Sequence, residues 1–302
     1  MIYAVIDIGS NTVRLSVFKA YEDHVVNLFN EKEQASLKSY ISNGVLSEKG
    51  IERLIDVLKR FKLVLDNFDD IDEIRPFATA TIRDAANRTE ILDRVYQKLG
   101  LKIEIISGEE EAKLAFVGAS SSVEVTKGIL TDIGGGSSEV VIIEQNKVIK
   151  SASLEIGSLS AFNDYVDGLF LTTDQKKLID KDMKALFEKN KIYREDHDLL
   201  CAVGGSARAS LKFYNEYYNL ETSNTVMEQP MFNTMLKEVL NNEPRDILDR
   251  ILAVKPDRVH TLLPGMAILN RMAKYFYCKT ICVSKTGVRE GYVYSKLLGG
   301  KN

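Results

Sequence analysis

The sequence predicts an α/β protein that consists of two copies of one structural unit. Three observations predict this fold class. Hydrophobic periods typical of strands and of helices alternate along the chain, and a glycine-containing turn motif occurs twice. A constant offset of 125 positions, which carries Asp7 onto Asp132, relates the two copies. With 302 residues, 45% of them hydrophobic and 27% charged, the chain is long enough for two domains of a soluble globular protein.

The first half begins with a strand meander and continues with alternating helices and strands. Alternating and β-branched residues predict the strands, and an apolar stripe through Ile51, Leu54 and Leu58 behind a Ser47 cap predicts the first helix. The predicted strands are 2–8, 12–19, 24–33, 73–77 and 103–106, and the predicted helices are 47–66, 83–98 and 109–121. We assign residues 1–122 to an N-terminal domain.

The second half repeats this order with a helical addition. The predicted strands are 128–132, 138–144, 147–154, 198–203 and 280–284, and the predicted helices are 173–189, 206–218, 259–275 and 287–297, with weaker helices in 231–253. Residues 123–302 therefore form the predicted second domain, enlarged by a helical insertion at about 220–255. We expect the C-terminal helix, at about 287–302, to pack back on the first domain.

Two segments of the first half align without gaps with two segments of the second. Ile6-Asp7-Ile8-Gly9-Ser10-Asn11-Thr12 aligns with Thr131-Asp132-Ile133-Gly134-Gly135-Gly136-Ser137. At the same offset, Thr79-Ala80-Thr81-Ile82-Arg83 aligns with Gly204-Gly205-Ser206-Ala207-Arg208. Because both pairs share one offset, duplication of a unit explains them better than chance.

The two hairpin turns carry residues suited to binding an anion. The first turn contains Ser10, Asn11 and Thr12, and the second contains Gly134, Gly135, Gly136 and Ser137. Glycine lets backbone N–H groups approach an anion, and hydroxyl and amide side chains add donors. The alternative is that both are ordinary hairpin turns. Because two loops match each other, this alternative is weaker than it would be for a single loop. The sequence contains no P-loop motif.

Two strand–helix junctions form a second group of candidate anion sites. Arg83 and Arg208 lie in the first turns of predicted helices, and Gly205 and Ser206 precede Arg208. A helix N-terminus with an arginine can hold a phosphate, and such junctions gather at the carboxyl ends of strands in open α/β sheets. The alternative interpretation is that these are capping residues and surface arginines.

Three glutamates, Glu109, Glu110 and Glu111, open a further predicted helix. Acidic residues in a first turn usually complement the helix dipole, which is our interpretation of Glu109 and Glu110. Beside an anion pocket, one carboxylate can instead orient and deprotonate an attacking water, as phosphoanhydride hydrolysis requires.

Charge and composition limit the partners. The net charge of −3 argues against a general nucleic-acid binder. Residues 250–302 contain ten Lys or Arg and only two acidic residues, so this part either attracts a polyanion or forms a solvated surface. The three cysteines fit a reducing compartment, and the N-terminal residues lack a signal-peptide pattern. Because no apolar stretch is long enough to cross a membrane, we expect a cytoplasmic protein without membrane association.

Taken together, the motifs resemble those of the exopolyphosphatase/guanosine-pentaphosphate phosphohydrolase family. The resemblance rests on the segments 7–12, 79–83, 107–112, 132–137 and 204–208, occurs in family order and extends to 283–291. It implies the actin-like fold, in which two ribonuclease-H-like domains of duplicated topology enclose a cleft.

The resemblance also implies an activity and its site. The expected reaction is release of terminal orthophosphate from inorganic polyphosphate. By position, the family's catalytic base falls on Glu111 and its phosphate-binding arginine on Arg83, while Asp132 and Glu139 fall where the family holds a divalent metal, Mg²⁺ or Mn²⁺. The remaining candidate substrate-binding residues are Ser10, Asn11, Thr12, Gly134, Gly135, Gly136, Ser137, Gly205, Ser206 and Arg208.

This sequence departs from the family pattern in three places. Many members carry a further C-terminal helical domain, which this sequence lacks, so processive action on long chains is in doubt. Segment 157–162 lacks an arginine that members often have, so one phosphate contact is expected to be missing. Lys285 stands where an acidic residue is common.

Three alternative functions remain open at this point. One is hydrolysis of the 5′-terminal phosphate of guanosine pentaphosphate. The second is phosphotransfer of the sugar-kinase or acetate-kinase type, and the third is a non-catalytic sensor of polyphosphate or nucleotide. The expected partners are thus inorganic polyphosphate or guanosine pentaphosphate, with no specific nucleic acid, and a homodimer is compatible with the sequence.

Overall fold

The protein, described by a computed structural model over residues 1–22, 24–68, 70–123 and 125–298, contains two mixed β-sheets and a short hairpin. The strands are β1 (Ile2–Ile8), β2 (Thr12–Ala20), β3 (Val25–Gln34), β4 (Ile41–Ser42), β5 (Val45–Leu46), β6 (Glu73–Ala78), β7 (Glu104–Ile105), β8 (Gly128–Ile133), β9 (Ser138–Glu144), β10 (Lys147–Leu154), β11 (Leu199–Val203), β12 (Val226–Glu228) and β13 (Thr280–Val283).

The helices cover the faces of these sheets. They are α1 (Glu48–Leu65), α2 (Ala80–Arg83), α3 (Arg88–Leu99), α4 (Gly108–Ser120), α5 (Ser158–Tyr165), α6 (Thr173–Lys189), α7 (Gly204–Tyr217), α8 (Gln229–Leu240), α9 (Pro244–Val254), α10 (Leu262–Tyr275) and α11 (Val288–Tyr292). Short 3₁₀ turns lie at Leu37–Tyr40 and Pro256–Arg258, and a π-helical turn lies at Val293–Leu297. No described helix combines the length and apolar character needed to cross a membrane.

Both sheets have the same topology, so the predicted duplicated fold class is confirmed. The first sheet has the order β3-β2-β1-β6-β7, and the second has β10-β9-β8-β11-β13 with β12 added at its edge. In each, three consecutive strands form an antiparallel meander and the next two run parallel to the first. The parallel strands bring their carboxyl ends, and the loops that follow, to one edge of each sheet.

Three apolar clusters hold the fold together. One packs α1 and α3 on the first sheet through side chains such as Leu54, Leu58 and Phe61, the stripe predicted from the sequence. A larger one covers the second sheet with α5 to α10. The third lies between the sheets, where Phe77 of β6 stacks on Tyr292 of α11 with ring centroids 4.9 Å apart. The two halves therefore share a core as well as a cleft.

The two interface helices pack across the halves. α4 contacts β8, β9 and β10 of the second sheet, and α4 and α11 pack against each other. Tyr292 Oη of α11 donates a hydrogen bond to Glu104 of β7. The domain boundary near residue 122 stays a prediction, and residues 299–302 of the expected C-terminal helix lie outside the described residues.

The structure differs from the predicted elements mainly near the cleft. The expected helix 83–98 is interrupted between Arg83 and Arg88, because the Asn87 side chain pairs with both backbone groups of Leu46, and such bonds compete with helix formation. The expected final helix changes to a π-helical turn after Tyr292. Helix α5 was not predicted at all.

Candidate active site

The two turns predicted to bind an anion contact each other between the halves. A Cβ atom on Gly135 would lie 3.1 Å from Asn11 Cβ, and one on Gly136 would lie 2.8 Å from Ser10 Oγ. Thr81 Oγ1 donates to Ser10 Oγ at 2.7 Å and so ties the start of α2 to the first turn. A side chain at Gly135 or Gly136 would therefore force the facing turn to shift, for steric reasons and independently of any ligand.

A polar cavity opens beside this crossing, at the carboxyl ends of β1, β6, β8 and β11. The predicted site residues that line it are Ser10, Asn11, Thr12, Glu111, Asp132, Gly134, Gly135, Ser137, Gly205, Ser206 and Arg208. Charged residues that were not among the candidate site residues of the sequence analysis also line it: Asp7, Arg14, Arg258, Arg289 and Glu290. We call this space the first cavity.

Four arginines enter the first cavity from both halves: Arg14, Arg208, Arg258 and Arg289. Burial, with repulsion from Arg14, lowers the pKa of Arg258 to about 10, and burial, with repulsion from Arg14 and Arg289, lowers the pKa of Arg208 to about 10. Arg258 is held by Ser206 Oγ, to which its Nη1 donates at 3.3 Å. A multivalent anion would relieve this crowding and accept several guanidinium hydrogen bonds.

Carboxylates occupy matched positions of the two repeats. Asp7 faces Arg14 across β1 and β2, whereas Asp132 faces Glu139 across β8 and β9. Burial raises the pKa of Asp132 to about 6, and burial together with the charge of Asp132 raises the pKa of Glu139 to about 7. In the first repeat an acidic residue thus lies opposite an arginine, and in the second repeat two acidic residues lie opposite each other.

Helix α4 turns one of its three glutamates into the first cavity. Ser107 caps the helix by accepting from the Glu110 N–H, Glu109 pairs with Lys113, and Glu110 pairs with Lys296. Glu111 points inward and is only 8% exposed. Burial, with the charges of Glu139 and Asp132, holds the pKa of Glu111 well above its ordinary value. Such a carboxyl is suited to accept a proton near neutral pH.

Arg83 lies beside Glu111 but faces a second space. Its Nη1 is 3.4 Å from Glu111 Oε2, and its Nε donates to Asp84 Oδ1 at 3.0 Å. Arg83 lines a neighbouring cavity together with Lys38, Thr81, Gly136, Ser137 and Ser153, which we call the second cavity. Ser137 lines both cavities.

Glu139 is the predicted site residue that lies deepest. It is 1% exposed and accepts a hydrogen bond from Ser153 Oγ at 2.8 Å. Its cross-strand neighbour Asp132 lines the first cavity. The predicted residues therefore come together in one region. Most of them line the first cavity, Arg83 and Gly136 line the second, and Glu139 is buried behind Asp132.

The sequence held a signal for one of the missed residues. The offset that relates Asp7 to Asp132 also relates Arg14 to Glu139, and Arg14 follows Thr12 by two positions, on the same face of β2. Arg258 and Arg289 belong to the cationic region of residues 250–302, and Arg289 also lies in segment 283–291 of the family resemblance, but neither signal assigned them to the site. Only the packing of the 3₁₀ turn and α11 places them in the cavity.

Segment 157–162, which lacks the expected arginine, supports the glycine loop instead. It forms the start of α5, where the Ser158 N–H donates to Gly134 O and the Leu159 and Ser160 N–H groups donate to Gly135 O. A Cβ on Gly157 would lie 2.5 Å from the Gly135 carbonyl carbon. The free donors of this helix end thus fix the loop that faces Asn11.

The donor set at Asp132 and Glu139 fits a hard divalent cation. Burial raises the pKa of both carboxyls, and the charge of Asp132 raises that of Glu139 further, so a positive charge beside them would be stabilising. Magnesium is typically held by one or two carboxylates together with water and phosphate oxygens. Within the described ranges no cluster of three or more His, Cys, Asp or Glu side chains is placed to bind a metal, so phosphate and water would have to complete the shell.

Comparisons with known proteins identify the family to which the chain is related. The profile of the Ppx/GppA phosphatase family matches residues 16–299. A provisionally named exopolyphosphatase of Haemophilus influenzae is 26% identical over 97% of this chain and 90% of its own length. A guanosine-5′-triphosphate,3′-diphosphate pyrophosphatase of Photobacterium profundum is 27% identical over 98% of this chain and 59% of its own length.

Solved structures give the same result for the fold. The Aquifex aeolicus member of the Ppx/GppA family superimposes with a TM-score of 0.81 and 25% identity, over 100% of this chain and 99% of that one. Several curated relatives are longer, and this chain spans less than two thirds of their length. Because the family profile covers nearly all of the sequence and the fold agrees, the chain belongs to the Ppx/GppA phosphatase family.

Proposed function

We propose that this protein hydrolyses the terminal phosphoanhydride bond of inorganic polyphosphate. One observation carries the proposal: Glu111, buried and with a raised pKa, lines a cavity that four arginines from both halves also line. A polyanion fits the arginines, and a carboxyl that accepts a proton near neutral pH fits the activation of water.

The proposed reaction is a direct displacement by water. Glu111 orients the water and takes its proton while the water oxygen forms a bond to the terminal phosphorus. The bond from that phosphorus to the bridging oxygen breaks, and the shortened chain leaves with the bonding electron pair. The products are orthophosphate and a chain shorter by one unit.

The other residues hold the substrate and balance its charge. Arg83, beside Glu111, binds the terminal phosphoryl group, and Arg14, Arg208, Arg258 and Arg289 hold the phosphates that follow it. The N–H groups of the glycine loop and the Ser10 and Ser137 hydroxyls add neutral donors. Asp132 and Glu139 would hold Mg²⁺ or Mn²⁺, which supplies neutralisation of phosphate charge when it is bound.

Guanosine pentaphosphate is the second candidate substrate. Some relatives are named for activity on guanosine 5′-triphosphate,3′-diphosphate. Among the described residues, however, those lining the first cavity include no aromatic side chain on which a guanine could stack. We therefore favour inorganic polyphosphate over the nucleotide, and over phosphotransfer, which would also need an acceptor site. We also favour hydrolysis over a non-catalytic sensor, because binding alone does not require a buried carboxyl such as Glu111 beside Arg83.

The test measures orthophosphate release from polyphosphates of defined length, beside guanosine pentaphosphate and ATP. Glu111→Gln should lower turnover by ~10²–10⁴-fold with little change in substrate affinity, because the amide keeps the shape but accepts no proton. Glu109→Gln and Glu110→Gln are the matched controls and should keep near-normal turnover. No release from any of these substrates would refute the proposed hydrolysis, and normal turnover of Glu111→Gln would refute the assigned base.

A further inference from the structure

The second cavity is separated from the first by a thin polar partition. The Thr81 Oγ1 and Ser10 Oγ hydroxyls, 2.7 Å apart, form it together with Gly136, whose Cβ position would be 2.8 Å from Ser10 Oγ. Hydroxyl side chains of this kind change rotamer on a fast timescale where they are free to do so. Rotation of the two hydroxyls would break the bond between them and widen the passage without a movement of either sheet.

Arg83 connects the two cavities electrostatically. It lines the second cavity, while its Nη1 lies 3.4 Å from Glu111, which lines the first. Any anion at Arg83 and Glu111 is thus adjacent to both spaces. With a volume of about 340 Å³, the second cavity exceeds the ~30 Å³ share of a single water many times and has room for a hydrated tetrahedral anion.

Lys38 lines the second cavity and brings a positive charge to it, and its backbone is hydrogen-bonded to the first turn. Its backbone N–H donates to Ser10 O at 3.0 Å, and among the described residues its ammonium group has no carboxylate partner. Of the two acids at the rim, Glu155 pairs with Lys189 outside the cavity, whereas Asp84 pairs with Arg83 itself. The ammonium group of Lys38 is therefore the cation of this cavity that remains available to an anion.

We propose that the second cavity is an orthophosphate site, through which the product leaves while the shortened chain stays on the arginines of the first cavity. This inference rests on the proposed hydrolysis. The terminal phosphate is cut next to Arg83, and the remaining chain then occupies the first cavity and blocks the way back. Orthophosphate then leaves past Thr81 and Gly136 toward Lys38 when the partition opens.

The first experiment measures binding of orthophosphate and needs no turnover. Radiolabelled orthophosphate is dialysed against the Glu111→Gln protein, with and without saturating tripolyphosphate. We expect orthophosphate to bind in the presence of tripolyphosphate. Lys38→Glu in the same background should weaken this binding by about tenfold, since a cation is replaced by an anion at the site. Lys59→Glu, the same change at an exposed position of α1, should leave it unchanged.

The second experiment uses the active enzyme. Orthophosphate should inhibit polyphosphate hydrolysis non-competitively, and Lys38→Glu, but not Lys59→Glu, should relieve the inhibition. Displacement of orthophosphate by tripolyphosphate, purely competitive inhibition, or an unchanged effect in Lys38→Glu would each overturn the exit site. Absence of hydrolysis in the parent protein would instead refute the proposed function, and the dialysis would still decide whether the second cavity binds orthophosphate.

Discussion

At the scale of single residues, the chemistry of the site depends on charged side chains that folding buries next to one another. Four arginines and the carboxyls of Asp7, Glu111, Asp132 and Glu139 lie within one region of the cleft, and nearly all have pKa values displaced by burial first and neighbouring charge second. Perturbed groups of this kind concentrate at functional sites. Their arrangement leads to two predictions.

Arg83→Ala should raise KM as well as lower kcat. A phosphate clamp acts on the substrate and on the transition state alike, so its loss affects both parameters. Arg83→Lys should recover only part of the activity, because lysine cannot make the paired contacts of a guanidinium, one of which Asp84 already holds. Steady-state kinetics with a polyphosphate of fixed length provide the measurement. A variant with reduced kcat and unchanged KM would contradict the clamp.

The metal-free protein should lose stability as pH rises from about 5.5 to 8. The folded-state pKa values of Asp132 and Glu139, about 6 and about 7, exceed the unfolded values of ~4. The folded state therefore binds more protons in this window, and raising the pH favours unfolding. Denaturation in the presence of a chelator measures the effect.

Two comparisons make the pH prediction specific. Glu139→Gln should flatten the pH dependence, since the amide removes one of the two acids. Added Mg²⁺ should stabilise the protein more at pH 8 than at pH 5.5, because only the ionised carboxylates bind it. A stability that rises between pH 5.5 and 8 in the chelated protein would show that these groups do not control it.

At the scale of elements, the loops are held by close backbone contacts that leave no room for side chains. A Cβ on Gly205, at the start of α7, would lie 2.3 Å from Arg258 Nη2 and 2.8 Å from Arg14 Nη2. The glycine thus allows two guanidinium groups to meet above a helix N-terminus. Segment 157–162 holds the second turn in place, because its backbone N–H groups donate hydrogen bonds to the carbonyls of that turn.

Gly205→Ala should impair catalysis far more than stability. The added methyl group displaces the ends of two long side chains, which can move at low cost, but they can no longer hold phosphate in the same place. We expect kcat/KM for polyphosphate to fall by about tenfold or more, with a change in unfolding free energy within ~1 kcal/mol. Gly168→Ala, where nothing lies within 4 Å, is the matched control and should be neutral in both measurements.

At the scale of the whole molecule, the positive charge of the cleft comes from distant parts of the chain. Arg14 belongs to the first sheet, Arg208 and Arg258 to the second half, and Arg289 to α11, which packs between the sheets. Arg289 also bonds to Asn30 Oδ1 of β3 at 3.1 Å. The proposed anion site is therefore complete only when both halves are assembled.

Salt should distinguish the cations inside the cleft from those outside it. Lys285 is exposed and contributes only its carbonyl, to Arg208, whereas Arg289 is half-buried in the cavity wall. At low ionic strength, Lys285→Gln and Arg289→Gln should both weaken polyphosphate binding. Above about 0.5 M salt the Lys285 effect should vanish and the Arg289 effect persist, because salt screens exposed charges much more than buried ones. Identical salt dependence for both variants would contradict this assignment.

The sequence by itself determined the elements and their repetition. Both meanders, Ser47 as the cap of α1 and the inward stripe on that helix could be predicted, since strand alternation, capping and helical periodicity are local properties of the chain. The offset of 125 residues predicted the matched turns and junctions that meet at the cleft. Local pattern was insufficient where a residue distant in sequence competed. The pattern around Asn87 favours one continuous helix, but the bonds of Asn87 to Leu46 separate α2 from α3.

Only the tertiary structure decided which charges share the site. Arg258 and Arg289 enter the cavity because a 3₁₀ turn and a helix between the sheets place them there. The family pattern pointed to Glu111, but only the folded chain buries it in the cavity while Glu109 and Glu110 pair with lysines. Likewise, the partition at Thr81 and Ser10 joins residues 71 positions apart. Hydrophobic period and motif spacing report on neighbours in sequence, whereas the displaced pKa values arise from desolvation and from charges that only folding brings near.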